Sequence, residues 1–134
     1  LSLADLAEHV YGIEVDPQAI AAATRTAARL SLANTDFYAG KTERLLFYTQ
    51  RQCPLDTTCL ILDPPRSGCG APVLKTLRDQ KPCQVLYISC APAMLARDLQ
   101  SLAAAGYRLE RVTPFDMFPQ TQHCEAVAEL RRGD

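Results

Sequence analysis

The sequence predicts an α/β protein with a mostly parallel sheet, because short β-rich runs alternate with helical runs along its length. Composition agrees: of 134 residues, 48% are hydrophobic and 22% charged, the balance of a soluble globular domain and not of a disordered or coiled-coil chain. At this length a chain buries roughly two-thirds of the surface its unfolded form exposes, so one domain needs no disulfide staples.

Each element has its own signal. Leu1–His9 (LSLADLAEH) has helical periodicity without an N-cap or an initiator Met, so the chain is expected to start inside a helix with more protein upstream. Val10–Val15 (VYGIEV) reads as a strand. Asp16 then opens a helix as N-cap, with Pro17 at its first position and an alanine-rich body to Ala33. Asp36–Ala39 is a shorter strand candidate. Cys59–Leu62 (CLIL) is a compact apolar strand that must stop at Asp63-Pro64-Pro65, because proline has no N–H for a ladder. A helix over about Ala71–Asp79 follows, then a buried strand at Gln84–Ser89 (QVLYIS). The next helix, Pro92–Ala105, is closed by Gly106. Tyr107–Thr113 and Cys124–Arg131 read as the last two strands, joined by a segment too rich in proline and aromatics for a simple turn.

Charge and cysteine usage narrow the class. Fourteen Lys plus Arg against 15 Asp plus Glu give a formal charge of −1, which argues against a strongly basic nucleic-acid binder. The six cysteines, at 53, 59, 69, 83, 90 and 124, form no C-x-x-C pair and no zinc or disulfide spacing, so free thiols in a reducing cytoplasm are expected, with no metal. No apolar stretch approaches the ~20 residues of a membrane span.

In open α/β sheets ligands bind beyond the carboxyl ends of the strands, and those ends are rich in chemistry here. Glu14 closes the first strand, where a carboxylate suits the paired hydroxyls of a ribose or is only a surface group beside a helix start. Asp63 closes the next apolar strand ahead of two prolines and is either a site carboxylate or the first residue of an Asx-type turn. Arg66 in the same loop could meet a phosphate or simply face water. Cys90 sits between a strand end and a helix start, where the helix dipole favours a thiolate nucleophile; an inert buried thiol is the alternative. Glu125 opens the last strand, as a general base or a surface residue. His123 is open among base, hydrogen-bonding and turn roles.

In order and spacing, GIEVDPQAI, LDPPRSG, YISCAPAMLARDL and FDMFPQTQHCEAV resemble the C-terminal motifs of the S-adenosylmethionine-dependent RNA uracil-5 methyltransferases. The resemblance spans nearly the whole chain. It implies a Rossmann-like class I methyltransferase sheet, mostly parallel with an antiparallel C-terminal strand. It also implies that Cys90 is the nucleophile and Glu125 the proton-abstracting base, and that Glu14 and Asp63 contact S-adenosylmethionine. It further implies an RNA partner, either tRNA or ribosomal RNA, and 5-methyluridine as the product. Departures are Ala91 in place of the usual Asn, Gln120 in place of a common His, and Lys41 where many relatives carry Asp or Asn.

The family's N-terminal strand and glycine-rich loop (D-x-x-C-G-x-G), which cradle the donor between the strands ending at Glu14 and Asp63, are lacking. Residues 1–134 are therefore expected to be the C-terminal portion of a methyltransferase catalytic domain, inactive in isolation. Two other readings compete: a donor-dependent methyltransferase acting on an exocyclic amino group, which also uses a D/N-P-P loop, and a degenerate non-catalytic α/β module. The near-neutral charge is compatible with RNA if other parts of a longer protein make most phosphate contacts.

Overall fold

A computed structural model describes residues 1–117, 119–121 and 124–133. The fold is α/β, and its strands form two sheets that belong to two compact units, Leu1–Gln52 and Cys53–Asp134.

In the first unit, β1 (Val10–Glu14) and β2 (Thr35–Ala39) pair in parallel, from Val10 opposite Thr35 to Glu14 opposite Ala39. Gly12 lies opposite Phe37, and a Cβ there would come within 2.5 Å of the Phe37 ring, so the close ring packing requires glycine. The crossover is α1 (Pro17–Arg29), started as the sequence predicts: the Asp16 side chain accepts the Gln18 N–H at 2.8 Å and Pro17 follows. Its end differs. The helix stops at Arg29 and not at Ala33, because Ser31 turns left-handed (φ 56°). Ser31 N–H donates to Ala28 O at 3.1 Å and Leu32 N–H to Ala27 O at 3.0 Å, a Schellman closure built without the glycine that usually announces one.

Two further differences fall in this unit. Leu1–His9 is not a helix; only a 3₁₀ turn forms at Ala4–Leu6, because no side chain caps its start and so short a segment cannot hold a helix unaided. A helix that the sequence does not announce, α2 (Thr42–Gln50), follows β2, with Lys41 at its N-cap making no side-chain bond. It is held by burial of Leu46 and Thr49, and the Thr49 hydroxyl donates back to Leu46 O at 3.1 Å.

The second unit has strand order β3-β4-β6-β5, with β3 at Cys59–Leu62, β4 at Gln84–Ser89, β5 at Tyr107–Phe115 and β6 at Glu125–Arg132. β3 and β4 are parallel, while β6 runs against both of its neighbours, so one strand of four is reversed. That is the mostly parallel sheet with an antiparallel C-terminal strand that the motifs imply. At the outer rim β5 carries a bulge between Leu109 and Arg111 and accommodates Pro114, which an edge strand tolerates.

One face of this sheet is the core. Val85, Tyr87 and Ser89 of β4 alternate inward, as do Ala126, Ala128 and Leu130 of β6, and Tyr87 has room because Ala128 is its cross-strand partner. Val73 and Leu77 of α3 (Ala71–Gln80), with Leu95 and Leu102 of α4 (Pro92–Ala104), complete it. Gly106 closes α4 at φ +93°, as expected of a C-terminal glycine. No described helix is long and apolar enough to cross a membrane.

Replacing Ser31 by glycine removes the left-handed strain without altering a contact in the closure. Ser31→Gly should raise stability by about 0.5–1 kcal/mol, read as a higher urea midpoint.

Candidate active site

The strand directions of the second unit decide what shares a rim. β3 and β4 end where antiparallel β6 begins, so the chain leaves β3 at Asp63, leaves β4 at Cys90 and enters β6 at Glu125 on one edge of the sheet. The β4–β6 ladder finishes at Ser89 opposite Ala126; one further step sets Cys90 across from Glu125. Glu125 is itself paired with Phe115, the last residue of β5. Three of the four residues to which the family resemblance assigns a role are thus brought to one rim. Asp63 is exposed, and Cys90 and Glu125 are half-buried.

Local bonds shape each position. Ser89 is buried, and its hydroxyl accepts the Ala91 N–H at 3.1 Å and donates to Ala91 O at 3.2 Å, which folds the backbone around Cys90 before α4 starts. Ala91, at the N-cap of α4, makes no side-chain bond there; the serine instead ties the N-cap residue's own N–H and carbonyl back to the end of β4. After Asp63, the two prolines lead into a turn closed by Gly68 N–H donating to Pro65 O at 2.8 Å. Gly68 has φ +79°, and a Cβ there would lie 2.6 Å from both Arg97 Nη2 and Asp98 Oδ2.

The turn is gripped from behind by a buried carboxylate that the sequence patterns do not single out. Asp98 Oδ2 accepts the Cys69 N–H at 2.7 Å and the Tyr87 hydroxyl at 2.6 Å. Its Oδ1 accepts Arg97 Nε at 2.8 Å, and Arg97 Nη2 donates to Ser67 O at 3.0 Å. A signal is present all the same: Asp98 interrupts the stripe Leu95, Asp98, Leu102 that α4 buries. Burial, reinforced by the bond to Asp98, raises the Tyr87 phenol above its ordinary range, so it serves as a neutral donor. Burial likewise pushes the Cys69 thiol up to about 11, which makes it an inert thiol at neutral pH.

In the first unit, Glu14 ends β1 exposed, and its Oε1 accepts the Asp16 N–H at 3.0 Å, holding the carboxylate at the strand's carboxyl end. Gly40 N–H donates to Glu14 O at 2.8 Å, which brings Lys41 to that same end of the β1–β2 pair. An oriented carboxylate at the end of parallel strands can accept hydrogen bonds from paired hydroxyls. His123 lies outside the described residues.

A family model for tRNA (uracil-5-)-methyltransferase matches residues 2–132. The chain is 45% identical over 130 residues to an uncharacterized RNA methyltransferase of Halalkalibacterium halodurans, covering 97% of this chain and 28% of that protein. It is 44% identical over 131 residues to one of Bacillus cereus, covering 98% and 28% respectively. Among solved structures it resembles the Pyrococcus abyssi tRNA (uracil-54, C5)-methyltransferase in complex with S-adenosyl-L-homocysteine, with TM-score 0.76 and 31% identity over 96% of this chain and 30% of that one. An rRNA methylase from Streptococcus thermophilus, at 13% identity and TM-score 0.70, shares the fold. The chain therefore spans 28% of the length of these curated relatives.

Two outcomes follow from the turn. Gly68→Ala combines positive-φ strain with a clash on the buried ion pair and should cost about 1–3 kcal/mol, read as a lower urea midpoint. Folding holds the Cys69 proton more tightly than the unfolded chain, whose thiol has the ordinary value of 9.0. Under reducing conditions the urea midpoint should therefore be insensitive to this group below pH 9.0 and fall as the pH rises toward about 11.

Proposed function

The chain belongs to the tRNA (uracil-5-)-methyltransferase family, and from that premise we propose that it carries the nucleophile and the general base for methylating C5 of a uridine in tRNA or ribosomal RNA. The observation that supports this reading best is the shared rim, where Cys90 after the end of β4 and Glu125 at the start of antiparallel β6 face each other one step beyond the last pair of their ladder. A nucleophile and a base acting on adjacent ring carbons must be neighbours.

The chemistry gives each residue a distinct role. The Cys90 thiolate adds to C6 of the uracil, forming an S–C6 bond while the C5–C6 π electrons move onto C5 and O4 as an enolate. S-adenosylmethionine, when bound, supplies the methyl group that the nucleophilic C5 takes up, its S–CH₃ bond breaking to leave S-adenosylhomocysteine. The Glu125 carboxylate then removes the C5 proton; the electron pair restores the C5–C6 double bond and expels Cys90 as thiolate. Glu14 at the end of β1 suits hydrogen bonds from the donor's ribose hydroxyls, and Asp63 directly after β3 is a carboxylate suited to a donor contact of the same kind. The target uridine enters flipped or already unstacked, since neither face of C5–C6 is open inside a helix.

In a protein of its relatives' length, the chain serves as the C-terminal portion of the catalytic domain, with RNA-binding surface supplied elsewhere. Its six free thiols suit a reducing compartment such as the cytoplasm.

The test uses the protein at its full native length with S-adenosylmethionine and RNA containing 5-fluorouridine, whose C5 fluorine a base cannot abstract as it does the C5 proton, so that the enzyme–RNA adduct persists. The wild type should form a denaturant-stable adduct mapped by mass spectrometry to Cys90. Cys90→Ala should form none and lose methylation by on the order of 10⁴-fold. An adduct in Cys90→Ala would refute the assignment, and full activity in Cys90→Ser would point to methylation of an amino group.

A further inference from the structure

We propose that Asp98 is a positioning residue that holds the Asp63 loop and the Cys90 turn in one relative placement. The inference rests on the proposed uracil-5 chemistry, and it adds a residue that touches neither donor nor RNA.

Three segments meet on this carboxylate. The first is the loop after β3, which reaches Asp98 through the Cys69 N–H at 2.7 Å and, by way of Arg97, through Ser67 O. The second is β4, through the Tyr87 hydroxyl at 2.6 Å, two residues before Ser89 and three before Cys90. The third is α4 itself, which starts at Pro92 directly behind the Cys90–Ala91 turn and carries Asp98 on its buried stripe. The path from Cys69 back to Asp63 has little freedom, because it runs through the 65–68 turn and two prolines. Moving the carboxylate would therefore move Asp63 relative to Cys90.

Stability alone does not account for an aspartate here. A leucine continuing the stripe would fill the site without desolvating a charge, and buried ion pairs are often no better for stability than well-packed apolar residues. A carboxylate can instead accept from an amide, a phenol and a guanidinium at once, in directions that its plane fixes. Gly68 records the same demand from the other side, since its missing Cβ leaves room for the Arg97–Asp98 pair.

The experiment compares wild type, Asp98→Asn and Tyr87→Phe at full native length. Its readouts are steady-state kinetics on RNA and amide hydrogen exchange across residues 59–132. Asp98→Asn keeps the shape but turns an amide NH₂ toward donors. Its kcat should fall by roughly tenfold to a hundredfold with the RNA KM changed far less, the mark of misplaced reacting groups. Exchange should quicken at residues 67–70 while β4 and β6 stay protected. Tyr87→Phe, which removes one donor and keeps the charge, should show a smaller kcat loss with exchange confined to the same loop. It decides the matter if Asp98→Asn does not fold.

An unchanged kcat in a folded variant would overturn the proposal. So would a loss accompanied by equally faster exchange throughout the sheet, as a purely structural role requires. A wild type that methylates no uridine defeats the functional reading instead, and exchange confined to residues 67–70 would still show that Asp98 holds the loop.

Discussion

Placing a carboxylate in the apolar stripe of a helix costs several kcal/mol unless its lone pairs are met by donors. The second unit is arranged around meeting those of Asp98. The backbone at Cys69, the phenol of Tyr87 and the guanidinium of Arg97 all converge on it. Each of these belongs to, or leads into, a segment that also serves the rim, namely the loop after β3, the strand that delivers Cys90 and the helix that follows it. Side chains nearby adapt in turn. Gly68 gives up a Cβ, Ala128 makes room for Tyr87, and Cys69 is left as a protonated, unreactive thiol.

The reversed direction of β6 is the second constraint. In a wholly parallel sheet, the strand beside β4 would enter from the opposite edge, and its first residue would lie a full strand length from Cys90. Running β6 against β4 brings the start of one to the end of the other, so that two chemically different side chains are delivered by regular backbone. The pleat fixes their spacing more tightly than two flexible loops would. Ser89 adds the last adjustment by bonding both polar groups of Ala91, which bends the chain at the cysteine.

What is legible in the sequence and what is not follows from where the information is local. Asp16 followed by Pro17 announces α1, Gly106 announces the end of α4, and the run CLIL followed by two prolines fixes both β3 and its stop. Each of these is chemistry within a few residues. The end of α1 is hidden because Ser31, and not glycine, takes the left-handed position. Helix α2 is hidden because Lys41 offers no cap and its buried residues find their partners through tertiary packing. Candidate site residues stand out because they sit at strand ends, closing a strand, following one directly or, as Glu125 does, opening one. Asp98 does not, because a helix interior reads as a packing position, and only the three-dimensional meeting of Cys69, Tyr87 and Arg97 explains a charge there.

The two rims of the second sheet are finished differently. β5 breaks its ladder with a bulge, sets Pro114 in the strand and lines it with Arg108, Glu110 and Arg111, the devices by which edge strands discourage further pairing. β3 has none of these: its four residues are Cys, Leu, Ile and Leu, Ile61 is exposed, and among the described residues its ladder runs to β4 alone. What limits pairing there is length: four residues, followed after Asp63 by Pro64 and Pro65, which have no N–H for a ladder. Within this sheet, further pairing is discouraged at β5 by charge, bulge and proline, and at β3 by brevity and a proline stop.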